Sequence, residues 1–416
     1  MVKGRQRKLL VLGGADIQVT AIQKARELGY YVITCDNRPT NPGHSHGHEY
    51  HDVSTTDIAG VLRLAQKLRI DGISAYASDP AAVTAAYVSS IMGLPGDPYE
   101  AVRRVQDKVE LRKLQHQLGI FAPEAHHVRT VQEILDHSQK WPGGGVMKPV
   151  DTSGSKGVFK IRSSMEPSFL ESLLERSLSF SRSGKVILEE WIDKNSVQMT
   201  GDVLVVDGRI QFRCFGDVHF NTRVNGLVPR GVTIPGSIAE HKIDDAMADL
   251  QLMIDHLGLR QGVYNIDLFL DRDERPLMVD IGLRNGGNML NTLYHLRTGV
   301  DLMELSLKMC MGEQIGRVTY QEDPTIYVGH CVIHALEEGE LEKMEFSNEL
   351  RSCIIYRSIS VRPGDHVGRF EHSGHRLGLL LLKFPTKEKM LDMYANIYDH
   401  MQVRVHSKID ASRTDE

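Results

Sequence analysis

The first hundred residues of this chain switch repeatedly between two periodicities. Residues 8–14 (KLLVLGG) are a short apolar run, and 20–29 (TAIQKARELG) carry a helical pattern that stops at Gly29. Residues 30–37 (YYVITCDN) read as a strand, 58–70 (IAGVLRLAQKLRI) as a helix, and 71–78 (DGISAYAS) as a strand again. Strands separated by helices cannot pair as tight hairpins. They lie parallel in one sheet, with helices on both faces. The alternation therefore predicts an α/β domain over residues 1–105.

The rest of the chain reads differently. At about 150 residues per domain, a chain of this length holds two to four domains. A helix over 107–119 is marked by Asp107 and Glu110 at capping-box spacing and by Gly119 at its stop. Two strands flank a Gly/Ser loop near 145–162, and 186–220 is β-rich, with Asp207-Gly208 as a hairpin turn. A helix over 244–258 and a second hairpin over 263–284 follow. Beyond 316, strands are expected near 327–336, 352–361 and 376–384. A closing helix from Thr386 would place Met390, Tyr394, Ile397 and Met401 on one face. The final residues 407–416 read as a frayed tail. These readings divide the chain into 1–105, 106–188, 189–315 and 316–416, an α/β domain followed by α+β parts.

Composition excludes several classes. With 41% hydrophobic and 25% charged residues, the chain is neither disordered nor collagen-like nor fibrous. Its net charge of −5 lacks the basic excess of a nucleic-acid partner. Cys35, Cys214, Cys310, Cys331 and Cys353 are widely spaced with no CxxC pair, which suits a reducing compartment. The basic opening MVKGRQRK precedes an apolar run that ends at Gly13-Gly14, so it reads as a first strand and not as a secretory signal. No stretch reaches the ~18 apolar residues of a membrane span. The expectation is a cytoplasmic protein without a membrane or nucleic-acid partner.

Three features could carry chemistry. In the 263–284 hairpin, a turn centred on Asp273-Glu274 sets Asp267 directly opposite Asp280 and on the same sheet face. Opposed carboxylates call for a cation or one raised pKa, and a hard divalent ion shared with phosphate oxygens answers that need. Arg284 continues the same face. A solvated hairpin with ordinary surface acids fits the pattern equally well. Lys148 lies on a strand that leads into 151–158 (DTSGSKGV), where Ser153, Gly154, Ser155, Lys156 and Gly157 form a loop of small residues. Such a loop can cradle phosphate through its N–H groups, or simply connect a hairpin. It lacks the Walker A spacing. In 186–192 (VILEEWI), Glu189, Glu190 and Trp191 offer carboxylates beside an aromatic wall, suited to a purine or to a plain amphipathic strand.

The order of Lys108, Lys148, the Gly/Ser loop, Glu189-Glu190-Trp191-Ile192, Asp267, Asp280 and Arg284 resembles the ATP-grasp superfamily of carboxylate–amine ligases. The resemblance covers almost the whole chain and is nearest to the biotin-carboxylase-like and amino-acid-ligase branches. It implies an N-terminal α/β domain, a two-part ATP-grasp domain and a C-terminal α+β domain. It also implies ATP with Mg2+ or Mn2+, and a carboxylic acid and an amine as substrates. Lys108 and Lys148 match the lysines on the nucleotide phosphates, and 151–158 matches the flap above them. Glu189 and the backbone near Ile192 match the adenine-reading hinge. Asp267 and Asp280 match the metal ligands, and Arg284 matches the arginine that stabilises the acyl phosphate. Gly286, Gly287 and Asn288 match an acceptor-site loop. Homodimers are common in these branches.

The chain departs from that pattern twice. Gln198 stands where the ribose-binding acid is usual, and Gly282 stands where an Asn often completes the metal site. Outside the pattern, His44, His46, His48 and His51 form a histidine tract in a loop, where a metal site and a plain surface loop both fit. Arg223 and Arg230 could hold a substrate carboxylate or lie on a surface loop. Gly13-Gly14 with Asp36 hints at a dinucleotide fold, but Ala15 and Gln18 break the GxGxxG pattern. The reaction expected is amide or peptide bond formation through an acyl phosphate. Its rivals are carboxylation of an amine with bicarbonate and a non-catalytic ATP-binding role.

Overall fold

The computed structural model describes residues 5–152 and 154–406. Ser153 and the expected tail, 407–416, lie outside the described residues.

The N-terminal alternation builds a parallel sheet. β1 (Lys8–Leu12), β2 (Tyr31–Cys35), β3 (Glu49–His51) and β4 (Gly72–Ser74) stand in the order β3-β2-β1-β4. α1 (Asp16–Glu27), α2 (Ile58–Leu68) and α3 (Asp79–Met92) pack around it. β1 is buried on both faces, since Leu9 and Val11 join one apolar cluster while Leu10 and Leu12 join another. β4 is shorter than the 71–78 expected. It runs close to the helix ending at Cys310, where a Cβ on Gly72 would meet the Cys310 carbonyl at 2.3 Å. The pairing of β4 with β1 stops at Ser74, and Ala77, with φ 55°, turns the chain toward α3. α1 starts at Asp16, four residues before the expected position, because Asp16 and Gln18 are polar and hide its first turn from an apolar pattern.

α4 (Tyr99–Gln106) and α5 (Lys108–Gln117) lead out of this domain. Asp107 caps α5 by accepting from the Val109 and Glu110 amides at 3.0 and 3.3 Å. The reciprocal half of the capping box does not form, because Glu110 accepts from Lys113 instead.

A small antiparallel sheet follows. β5 (Ala125–Val128), β6 (Gly145–Pro149), β7 (Phe159–Ile161) and β8 (Val186–Glu190) are ordered β5-β8-β6-β7, with α6 (Val131–Ser138) and α7 (Pro167–Phe180) on its back. The chain then runs through β9 (Met199–Val206), β10 (Arg209–Asn221), β11 (Asn225–Ile234), α8 (Glu240–Leu257), β12 (Gly262–Leu270), β13 (Pro276–Gly282), α9 (Leu290–Thr298) and α10 (Leu302–Cys310). Last come β14 (Tyr327–Ile333), β15 (Gly339–Phe346), α11 (Asn348–Cys353), β16 (Ile354–Ile359), β17 (His366–Val367), β18 (Gly378–Phe384), α12 (Lys387–Ala395), α13 (Ile397–His400) and β19 (Met401–His406). Eight strands form one sheet, β13-β12-β9-β10-β11-β14-β18-β16, and β17-β15-β19 form a separate layer. Three strands of the large sheet come from beyond residue 316. The architecture is the mixed α/β and α+β class expected.

The closing helix is not continuous. Thr386 caps it by accepting from the Lys389 amide at 3.2 Å, but Asn396 turns back onto the Asp392 carbonyl and ends α12. Met401 belongs to β19, where it pairs with Phe346. The chain has to leave the helix to make that pairing. Met390, Tyr394, Ile397 and Met401 nevertheless share one buried cluster.

Tyr394 clamps that cluster to the large sheet by donating to the His330 carbonyl at 2.7 Å. Gly329 makes room for it, since a Cβ there would meet the Tyr394 hydroxyl at 2.6 Å and the Val232 carbonyl at 2.4 Å. Gly329→Ala is expected to destabilise the fold by about 1–3 kcal/mol through overpacking. A urea midpoint equal to that of the wild type would contradict this account of the clamp.

Candidate active site

The small sheet turns alternate residues of β6 and β8 toward the large sheet. Lys148 and Glu189 point the same way, and the Lys148 ammonium bonds to a Glu189 carboxylate oxygen. Arg112, 1% exposed, donates from Nε to the other Glu189 oxygen at 2.8 Å. Its Nη1 also reaches the Met278 carbonyl at 3.1 Å. One arginine thus ties β8 to β13, across the gap between the two sheets. Burial raises the Glu189 pKa, but Arg112 and Lys148 outweigh it and hold the carboxyl down at about 2. Burial pushes the Lys148 pKa down, helped by the charges of Lys108 and Arg112 and opposed by Glu189.

The second hairpin supplies the facing wall. Asp267 and Asp280 are direct cross-strand partners, in the register read from the sequence. Asp280 is half exposed to the cleft and pairs with the Lys108 ammonium. Burial pushes its carboxyl up, but Lys108 dominates and the net shift is downward. Asp267 has no such partner. Burial first, then the charge of Asp280, push its carboxyl up to about 6. Lys108 and Arg112 are one helical turn apart on α5, so one helix face serves both the carboxylate hairpin and Glu189.

Arg284 sits just beyond β13. Its Nη2 donates to Asp79 Oδ2 at 2.8 Å and its Nη1 to Asn265 Oδ1 at 2.9 Å. Asp79 starts α3, so the N-terminal domain orients this arginine. The loop 286–288 is fixed by Asp202, which is fully buried and accepts from the Gly286 amide at 2.9 Å and from Asn265 Nδ2 at 2.9 Å. Asn288 accepts from Arg376 Nη1 at 2.9 Å, and the Nη2 of Arg376 donates to Asp16 Oδ2 at 2.5 Å. Gly287 lies in open space between these groups.

The described residues of the loop between β6 and β7, read from the sequence as a flap, dock on the β10–β11 hairpin and the segment around Ser373. Gly154, Ser155 and Gly157 have φ of 74°, 57° and 67°, left-handed conformations that favour glycine and permit the tight loop. Ser155 Oγ donates to the Leu227 carbonyl at 2.9 Å, and the Ser373 amide donates to the Gly154 carbonyl at 3.0 Å. Beneath lies a cavity of about 780 Å3 lined in part by Gly157, Lys160, Trp191, Leu227 and His375. The Lys160 ammonium rests on the Trp191 ring, 3.5 Å from its centroid. Lys156 packs near Gly374.

Other expected residues lie apart. The Glu190 carboxylate turns toward the Glu124 amide. Ile192, in the segment that follows β8, is half-buried. Gln198 accepts from Lys194 at 2.5 Å, and Lys194 lies between the Phe220 and Phe269 rings. Arg223 is exposed at the β10–β11 turn, over the ring of Tyr398, away from Arg284. The histidine tract is spread out: His44 bonds Thr34, His46 bonds Gln23, His48 accepts from the Val32 amide and His51 meets Glu49. Among the described residues, no three His, Cys, Asp or Glu side chains gather to hold a metal ion. Asp267 and Asp280 are the two carboxylates the paired strands offer, with Gly282 beside Arg284. They suit a hard divalent ion only if phosphate or water completes its shell.

Sequence reasoning missed Arg112, Asp79, Asp202 and Arg376. Arg112 alone carried a signal, its spacing of four from Lys108. The others are brought in by contacts across tens to hundreds of residues.

No known family profile matches the chain. It is 24% identical to the uncharacterised protein y4rH of Sinorhizobium fredii over 344 residues, 80% of this chain and 69% of that protein. It is 23% identical to a formate-dependent phosphoribosylglycinamide formyltransferase of Rhodococcus jostii over 280 residues, 64% of this chain and 66% of the relative. The match thus spans slightly less than two thirds of that relative's length. Among solved structures, an L-amino acid ligase from Bacillus licheniformis superposes with a TM-score of 0.79 at 18% identity, covering 97% of this chain and all of that one. The biotin carboxylase domain of a 2-oxoglutarate carboxylase from Hydrogenobacter thermophilus, in complex with MgADP, ADP and bicarbonate, gives 0.74 at 14%, covering 96% and 90%.

The elevated Asp267 pKa has a stability consequence. An unfolded aspartate titrates near 3.9, so between about pH 4 and 6 the folded chain binds the extra proton. Stability therefore falls as pH rises through that window, and the deficit persists above it. Asp267→Asn is expected to raise the unfolding midpoint of the metal-free protein at pH 8, with the difference closing toward pH 4. A midpoint at or below the wild type at pH 8 would contradict the burial and like-charge account.

Proposed function

We propose that this chain, which has the ATP-grasp fold along nearly its whole length, is an ADP-forming ligase that joins a small carboxylic acid to an amine through an acyl phosphate. The observation that supports the reading is the linked set of Lys108 on Asp280, Asp280 opposite Asp267, and Lys148 and Arg112 on Glu189, with Arg284 just beyond the same hairpin. Phosphoryl transfer asks a protein for positioning and charge neutralisation, and those are what this set provides.

ATP and Mg2+ or Mn2+ fit the donor set. Asp267 and Asp280 would hold the cation, which supplies charge neutralisation at the phosphates. The cleft charges are paired, with Lys148 and Arg112 on Glu189 and Lys108 on Asp280. Nucleotide phosphates would take over the two ammonium groups, releasing Asp280 toward the cation. The flap N–H groups at 154–157 would close on the phosphates, and Trp191 offers a stacking wall for the base once Lys160 shifts.

A substrate carboxylate oxygen attacks the γ-phosphorus, the bond to the β-phosphate oxygen breaks, and ADP leaves. Arg284, held by Asp79 and Asn265, neutralises the acyl phosphate. The amine then attacks the carbonyl carbon, and the carbon–oxygen bond to phosphate breaks. The attacking nitrogen loses its proton and inorganic phosphate departs. Asn288, Arg376 and Asp16 form a polar rim at the acceptor end, and their mixed charges suit a polar substrate.

A second reading is carboxylation of an amine with bicarbonate as the acid. Its support is the likeness to the biotin carboxylase domain whose complex contains bicarbonate.

Hydroxylamine distinguishes these chemistries, because it traps an acyl phosphate as a hydroxamate. With Mg2+-ATP and a panel of acids, one organic acid is expected to give hydroxamate together with ADP. Bicarbonate-dependent ADP release with no hydroxamate would favour carboxylation. Arg284→Ala and Asp280→Asn are each expected to lower kcat by well over tenfold, with unfolding midpoints showing a folded protein. Near-wild-type turnover in either variant would refute the site.

A further inference from the structure

Two arginines of the β10–β11 hairpin take no part in the cleft. We propose that Arg230, Asn221 and Arg223 form a second site, for a small oxyanion, between this hairpin and the C-terminal helices.

The hairpin register shifts between His219↔Gly231 and Phe220↔Pro229, leaving Arg230 without a cross-strand partner. Such a bulge re-aims a side chain, and here it turns an arginine inward. Arg230 is 8% exposed. Its Nε donates to the Phe220 carbonyl at 3.2 Å and its Nη2 to the Tyr394 carbonyl at 2.7 Å. Its Nη1 is buried with no partner, and among the described residues no carboxylate forms an ion pair with it. Asn221, fully buried, accepts from the Tyr398 hydroxyl at 2.9 Å while its Nδ2 has no partner. Both orphan donors surround Tyr398. The guanidinium of Arg230 lies 5.5 Å from that ring and that of Arg223 lies 4.2 Å from it.

A buried charge without a counter-ion is unfavourable, and a buried donor without an acceptor adds to the cost. Water could satisfy the hydrogen bonds but would leave the charge uncompensated. An oxyanion satisfies both through charge-assisted bonds to Nη1 and Nδ2. Arg223, whose guanidinium lies over the same Tyr398 ring, also lines an open cavity of about 550 Å3 with Leu336, Glu337, Glu338 and Arg369. The two glutamates on that rim restrict the charge a ligand can bring, so a carboxylate or a single phosphate fits and a polyphosphate does not.

The hairpin also carries the Leu227 carbonyl that receives Ser155 of the flap, and Asn225 Nδ2 donates to the Glu371 carbonyl at 3.0 Å. An anion that stiffens the hairpin therefore acts on the surface where the flap docks. The site stands on the hairpin geometry alone and does not depend on the ligase reading.

The test is thermal unfolding of the full chain in sodium acetate or inorganic phosphate, with ionic strength held constant by chloride. Lys148→Met serves as background, because it weakens phosphate binding in the cleft. One of the two anions is expected to raise the midpoint by about 2 °C in wild type and in Lys148→Met. The shift should vanish in Arg223→Ala, an exposed position that the fold tolerates, and in Arg230→Met. The anion that acts identifies the ligand as carboxylate or phosphate. Equal shifts with and without the arginines, or no shift with either anion, would overturn the proposal and leave a buried water only.

Discussion

The like-charged pair Asp267–Asp280 is the constraint around which the cleft is arranged. Cross-strand carboxylates repel, and burial makes the repulsion more costly. The fold tolerates the pair because α5 delivers Lys108 to Asp280, while Asp267 is left to bind its proton more tightly. Every other charged group in the cleft can be read as part of that balance. Glu189 adds a third carboxylate, and Lys148 and Arg112 answer it. Arg284 brings a further cation, and Asp79 answers that one. Such a balance can reorganise without a large change in net charge, which would suit the proposed binding of phosphates together with a divalent ion.

The two sheets are not held together by apolar packing alone. Arg112 spans from Glu189 to the carbonyls of β13, so the small sheet and the β12–β13 hairpin share one buried guanidinium. The flap is docked on two further elements, the β10–β11 hairpin and the 371–376 segment. That segment also carries Arg376 to Asn288 and Asp16. The 286–288 loop and the β6–β7 loop therefore rest on neighbouring residues.

Much of the cleft could be read from the sequence, because its chemistry lies on regular elements. Period-two alternation and a short turn fix Asp267 opposite Asp280, whereas the pairing of Lys148 with Glu189 needs the register of β6 on β8, which the sequence does not record. Parallel strands in the first domain follow from strand–helix alternation. What escaped depends on long-range closure. Asp79 meets Arg284 across more than two hundred residues, and Asp202 is a strand residue whose role is visible only once β9 lies beside β12. Arg223 shared a stretch with Arg230 and looked equivalent to it. A bulge buries one and leaves the other exposed at the turn. The closing helix breaks at Asn396 because β19 must reach β15, a demand that no local pattern records.

The central claim is that the hairpin carboxylates and a divalent cation hold ATP phosphates together in this cleft. It is tested most directly by calorimetric titration of ATP into the protein with Mg2+ and, separately, with a chelator. Binding with Mg2+ is expected to be at least about tenfold tighter than without it, and that advantage should be lost in Asp280→Asn. ATP affinity that ignores the metal, or that keeps its metal dependence in Asp280→Asn, would contradict the account.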